Sequence, residues 1–345
     1  MGTDLTRAVV EDQPPPACSH STLELVQVVI RHADRAPVSE CDNDHGVFHR
    51  GIGQLTDQGL ENAAEMGRVF GTRYLNGNPN ERKLVEFRVS PVERVVASAE
   101  AFARGLFQMS QADESDEVEL QHDSMLIPDI FTPAMNEYAA KSLGVELPVT
   151  KDFNGDVDSR LKLFTKSMEG QKWCKFKTFE EVDTLIARAA NTKIDLSPEE
   201  RDSVPIAKRQ MLRHLSLITG AGDFPNSAQL AANGGNLALR LVEGMEETAS
   251  NPAHTQGDDT PMRIFYTHDS FLVVLADIFG ITPAFHSKGA NFSCALVFEL
   301  WRKPQGEHHV KIFLKNGVTD VLHEVATNFN GMEQLRNLVE TRLKE

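Results

Sequence analysis

Residues 23–30 (LELVQVVI) form a nearly unbroken apolar run rich in β-branched side chains, the pattern of a central strand covered on both faces. The run passes at once into Arg31-His32-Ala33-Asp34-Arg35-Ala36-Pro37. Polar residues in that place stand at the carboxyl end of a strand, where open α/β sheets put their ligands. Thr56 suits the N-cap of a helix in which Leu60, Ala63, Ala64, Gly67, Val69 and Phe70 recur at helical spacing. A short strand over residues 84–89 leads into Ser90-Pro91-Val92-Glu93-Arg94. There Ser90 and Glu93 read as a capping box, with Pro91 at the first helical position. Arg94 therefore falls in the first turn of a helix that follows a strand.

Between residues 111 and 225 strand-like runs give way to polar, helix-forming stretches, notably 179–190 and 197–218. Residues 236–247 have the texture of a core helix. Strand character returns at 261–267 and ends on His268-Asp269, after which residues 270–279 form a helix closed by Gly280. Residues 295–301 and 310–314 read as two neighbouring strands, and 333–343 as an amphipathic terminal helix. This alternation predicts an α/β fold: a doubly wound, mostly parallel sheet with flanking helices and an inserted helical cap lobe. The expected organisation is a disordered leader over residues 1–20, an α/β core split between 21–110 and 226–345, and a mainly helical cap insertion over 111–225. No internal repeat appears.

Composition adds bounds. The 345 residues are 41 % hydrophobic and 25 % charged, ordinary for a globular chain with a sizeable core. The formal charge of −15 argues against wholesale binding to nucleic acid or anionic membrane, since both need a basic face. An anionic substrate must then be met by a local cluster of positive charge. Cys18, Cys41, Cys174 and Cys294 are widely spaced, without a metal-type pair; two disulfides and four reduced thiols are equally compatible with them. No run is long enough to span a bilayer. With Met1 as the native start the expected compartment is the cytosol, while a trimmed upstream signal would make the protein secreted or lysosomal. Met1-Gly2 with Thr6 fits the loose N-myristoylation pattern, against the plainer alternative of an unmodified leader. Oligomeric state is not readable.

Three polar sites stand at three strand ends: residues 31–35, Arg94, and His268-Asp269. Singly, each has an ordinary alternative. Arg31 and Arg35 suit solvent or a nearby acid such as Asp34. Arg94 at a helix start opposes the helix dipole. His268-Asp269 can be a turn and an N-cap. Together they fit one chemistry, because phosphoryl transfer is catalysed mainly by positioning and by neutralising peripheral oxygen charge. Arginine forks two donors onto phosphate. An imidazole among three arginines is then an in-line nucleophile that forms a phosphohistidine, with Asp269 as the acid for the leaving alkoxide. The remaining histidines show no metal-ligand spacing, so neither metal nor other cofactor is expected.

The same residues resemble the histidine acid phosphatases, the second branch of the histidine phosphatase superfamily. Residues 31–37 are similar to that family's Arg-His-Gly-x-Arg-x-Pro signature, and Leu55-Thr56-x-x-Gly59 to its Leu-Thr-x-x-Gly segment. Arg88-Val89-Ser90, with Arg94 and Ser98-Ala99, resembles its Arg-Ser-x-x-x-x-Arg-Thr-x-x-Ser-Ala stretch. His268-Asp269 and Phe298-Glu299-Leu300-Trp301 match its His-Asp pair and Phe-Glu-Leu-Trp strand. The resemblance implies an α/β sandwich with a helical cap. It implies His32 as nucleophile, Asp269 as proton donor, and Arg31, Arg35, Arg94 and His268 as phosphate ligands. Its expected substrates are phosphorylated small molecules or phosphoproteins. The sequence departs from the pattern at Ala33, which replaces a glycine, and at Val95, which replaces a threonine. Ser270-Phe271 stands where phytases carry Thr-Asn, which counts against inositol hexakisphosphate. The C-terminal cysteines common in secreted members are missing. Two other functions stay open: a phosphomutase sharing the phosphohistidine step, and an inactive phosphate-binding or scaffold protein, which Ala33 and Val95 would favour.

Overall fold

The computed structural model of the chain describes residues 6–10, 21–39, 46–75, 79–109, 118–128, 132–147, 157–251, 260–286 and 289–344. Its strands are β1 (Thr6–Val10), β2 (Thr22–Arg31), β3 (Val85–Val89), β4 (Leu120–His122), β5 (Met262–Thr267), β6 (Cys294–Arg302), β7 (His308–Asn316) and β8 (Leu322–Val325). Its helices are α1 (Asp57–Tyr74), α2 (Glu93–Leu106), α3 (Pro133–Ser142), α4 (Val157–Ser167), α5 (Phe179–Ala190), α6 (Pro198–Thr219), α7 (Ser227–Leu230), α8 (Asn236–Ser250), α9 (Asp269–Ile278), α10 (Thr282–His286) and α11 (Met332–Arg342).

The strands form one sheet in the order β1-β8-β7-β6-β2-β5-β3-β4. Strands β2, β5, β3 and β4 are mutually parallel, and β6 and β8 run against the other strands described. The reversal at β6 follows from chain economy: only residues 303–307 link β6 to β7, too few for a parallel crossover. Alternate residues of the central strands feed opposite faces. On one face Val26, Val28, Ile30, Ile264 and Tyr266 pack with Phe70 of α1 and Phe102 of α2. On the other, Leu25, Val29 and Phe265 pack with Leu241 of α8, Leu272 of α9 and Leu335 of α11. Each such fully buried side chain contributes about 2 kcal/mol of burial free energy. The expected α/β class, sheet with helices on both faces, is the one found.

Helices α4, α5 and α6 carry a small core of their own, with Phe164, Met168, Val182, Leu185, Leu196 and Ala207 buried. Leu215 and Ile218, late in α6, join the core around α9. The segment expected to be a cap insertion also holds β4, which extends the sheet beside β3. Within the segment expected to be a disordered leader, Thr6–Val10 pair antiparallel with β8. The myristoylation pattern at Gly2, Cys18 and Cys41 lie outside the described residues; Cys174 and Cys294 are free thiols. Among the described residues no helix is long and apolar enough to cross a membrane.

Candidate active site

Parallel pairing sets three strand ends side by side. Arg31 on β2 lies opposite Thr267 on β5, and Val89 on β3 lies opposite Tyr266. The ladder runs one residue further on each side: His32 N–H donates to Thr267 O and Ser90 N–H to Tyr266 O, both at 3.0 Å. His32, His268 and Ser90 are thus delivered to one place by register alone. The two imidazoles meet edge to face, ring centres 5.6 Å apart. His32 Nδ1 lies 3.0 Å from the Ala33 carbonyl. A carbonyl only accepts, so Nδ1 carries the proton and the lone pair sits on Nε2.

The arginines are held differently from one another. Arg31 pairs with Asp269 at 2.8 Å and lies over the Phe292 ring at 4.2 Å. Arg35 forks onto Asp183 at 2.7 and 3.1 Å. Arg94 has neither an ion pair nor a hydrogen bond from its guanidinium among the described residues. The Nε groups of Arg31, Arg35 and Arg94 are all buried and unpartnered. Ser98 ties α2 to the loop after β2, since its hydroxyl donates to Arg94 O at 2.7 Å and accepts from Ala33 N–H at 3.0 Å.

Burial, followed by the charges of Arg31, Arg94 and Arg35, holds His32 well below the ordinary imidazole range. Burial and Arg94 bring His268 down to about 3. Arg94 itself falls to about 10, through burial and repulsion from Arg35. Asp269 is pushed up by burial, but Arg31, Arg35, His268 and the Ser270 N–H together outweigh this and hold it below the usual carboxylate range. At neutral pH the site presents two uncharged imidazoles, with three guanidiniums facing the carboxylates of Asp269 and Asp183. It lacks an anion.

A sequence model described as the histidine phosphatase superfamily (branch 2) matches residues 22–315. The chain belongs to this family. It is 33 % identical over 334 residues to putative acid phosphatase 5 of Caenorhabditis elegans, a match covering 92 % of this chain and 75 % of that protein. With testicular acid phosphatase of Mus musculus it shares 26 % over 318 residues, covering 85 % and 72 %. A match to putative acid phosphatase 1 of Caenorhabditis briggsae spans 65 % of that protein's length. The apo form of Hafnia alvei phytase shares the fold, with a TM-score of 0.63 at 14 % identity, covering 96 % of this chain and 98 % of that one.

The structure gives the histidine phosphatase motifs physical reasons. A Cβ at Gly59 would stand 2.1 Å from the Asp34 carbonyl, so only glycine lets α1 seat against the loop that carries Arg35. Thr56 caps α1 as expected, accepting from Gly59 N–H at 2.9 Å. Ala33 takes no positive φ, and its methyl joins Leu55, Ala63 and Ala101 in a small apolar cluster. Val95 is buried in the core between sheet and helices. Glu299, from the Phe-Glu-Leu-Trp strand, accepts from Arg73, Tyr74 and Trp301 in a buried network of its own.

The expected capping box at Ser90 is not formed. Helix α2 begins at Glu93 with Val92 as its N-cap, and the Ser90 hydroxyl lies 3.2 Å from His268 Nε2 instead. A buried imidazole outcompeted the helix terminus for that hydroxyl. Arg94 remains in the first turn. Nor does Asp34 pair with an arginine among the described residues; it accepts from Asn62 at 2.7 Å. Asp183 and Phe292 escaped the sequence analysis altogether. Asp183 looks like any other acid on an amphipathic helix, and its partner is 148 residues away.

Proposed function

We propose that this histidine phosphatase is a phosphomonoester hydrolase working through a phosphohistidine on His32. The observation that carries this is the trio of buried, unpartnered guanidinium Nε donors around an imidazole whose Nε2 lone pair is free. Buried donors without acceptors are costly unless a ligand supplies oxygens. A phosphate group supplies three.

In the first step Nε2 of His32 attacks phosphorus in line, the P–O bond to the alcohol breaks, and Asp269 protonates the departing oxygen. In the second, Asp269 as carboxylate takes a proton from water as that water attacks phosphorus. The P–N bond breaks, and inorganic phosphate and neutral His32 are released. Arg31, Arg35, Arg94 and His268 hold the phosphoryl oxygens through both steps. No metal takes part in either.

Asp269 must begin protonated, although Arg31 holds it ionised in the free protein. An arriving phosphate competes for Arg31 and adds negative charge beside the carboxyl, and both effects favour its proton. Turnover is therefore fastest below neutrality. His32 tolerates this, because its depressed proton affinity preserves the lone pair in mild acid. Ala33 and Val95 both pack into apolar clusters, which supports the active reading over an inactive scaffold.

Replacing His32 by Ala is expected to abolish release of phosphate from an aryl phosphate. Turnover within about tenfold of wild type, about 1.4 kcal/mol of barrier, removes His32 from the chemistry.

A further inference from the structure

Lys208 lies on α6, where the helical segment meets the core, and is half-buried. Its ammonium has no ion-pair or hydrogen-bond partner among the described residues. It lines a small enclosed hollow together with Arg31, Asp183 and Asp269. It also lines a second, larger cavity of about 700 Å³, a size suited to a small molecule. The two spaces share Lys208, Leu212, Gly289 and Asn291, so they adjoin.

The carboxylates of the hollow are already committed, Asp269 to Arg31 and Asp183 to Arg35. What bears on Lys208 is burial and the like charge of Arg31, and both weaken its hold on its proton. The larger cavity has the same bias. Arg209 lines it, stacked 4.1 Å over Trp173. Asn316 also lines it, with a buried and unpartnered Nδ2. The carboxylate there, Asp320, already accepts from Asn316 N–H at 3.2 Å and lies 3.2 Å from His323 Nε2. In a chain of net charge −15, cations at the edge of a phosphate pocket whose neighbouring acids are engaged by other groups suit an anionic ligand.

We propose that Lys208 marks a second anion subsite beside the phosphate pocket, so that preferred substrates are small phosphomonoesters whose alcohol carries a further phosphate or carboxylate. The substrate class rests on the hydrolase assignment above; the subsite itself does not. The phosphate to be cleaved sits at His32, and the alcohol extends past Lys208 into the larger cavity.

The test compares α,ω-alkanediol bisphosphates, from ethylene to hexylene, with the matching alkyl monophosphates. Wild type is expected to prefer the best-fitting bisphosphate by about tenfold or more in kcat/KM, an ion-pair effect of about 1.4 kcal/mol. In K208M that ratio falls toward one, and in K208E it drops below one. A wild type indifferent to the second phosphate, or a ratio equal in all three proteins, overturns the subsite. Calorimetric titration with alkylene bisphosphonates and alkyl phosphonates reads the same preference without turnover. Lys208-dependent binding with no hydrolysis would keep the subsite and sink the hydrolase; binding that ignores Lys208 sinks the subsite.

Discussion

Arg35 commits both hydrogens of one terminal nitrogen and one of the other to Asp183 and the Ala36 carbonyl, so the donors it keeps for a ligand are Nε and a single terminal N–H. Asp183 also accepts from Val38 N–H at 2.9 Å. One carboxylate on α5 therefore fixes both the arginine and the loop that bears it. Removing one partner of a buried pair leaves the other charge uncompensated. Asp183→Asn is accordingly expected to lower stability by about 3 kcal/mol. It should also lower kcat/KM for an aryl phosphate by about tenfold or more, because a mispositioned guanidinium no longer meets the phosphoryl oxygens. Chemical denaturation and steady-state kinetics check the two halves, and wild-type values in both would show that Asp183 positions nothing. That His32, Arg31, Arg35, Arg94, His268 and Asp269 come together was legible in the sequence, because each stands at or within a few residues of the carboxyl end of a strand. Asp183 and Phe292 were not, since their importance lies in partners that only the fold brings near.

Helices with local start signals were readable almost residue by residue. Thr178 and Ser197 each form a full capping box at α5 and α6, and both helices lie where the polar, helix-forming stretches over 179–190 and 197–218 were expected. Ser90 shows the limit of the same logic. Its spacing to Glu93 is right, yet it sits at the end of a buried strand beside His268, and a tertiary hydrogen bond took the hydroxyl. The strands missed in the sequence, β1, β4 and β8, are three to five residues long. Such lengths are too short to show alternation, and their place is set by the edge each pairs with. The direction of β6 became clear only through its hairpin with β7.

The whole chain is strongly acidic, yet its interior keeps three imidazoles uncharged. Burial takes His214, packed between Phe164 and Phe179, down to about 4, and His268 reaches about 3; His32 is also well depressed. In the unfolded chain each titrates at about 6.5. Between those limits the unfolded state binds protons that the folded state refuses, so stability rises with pH. It is complete above about pH 6.5 and is lost as pH falls toward the folded values. Asp34, whose carboxyl burial raises, pulls the other way in the carboxylate range, so the comparison belongs above about pH 5. Urea midpoints are expected to fall steadily between about pH 7 and about pH 5; a midpoint that holds or rises would mean that these imidazoles are not buried as described. The same depressed affinity is what keeps His32 nucleophilic where Asp269 can carry a proton. The central claim is that His32 takes the phosphoryl group, and the direct measurement is to trap it. Asp269→Asn, mixed briefly with an aryl phosphate and quenched in alkali, should yield one phosphoryl adduct by mass spectrometry, on the peptide containing His32. Continued phosphate release with no adduct there, or an adduct on another residue, would contradict the account.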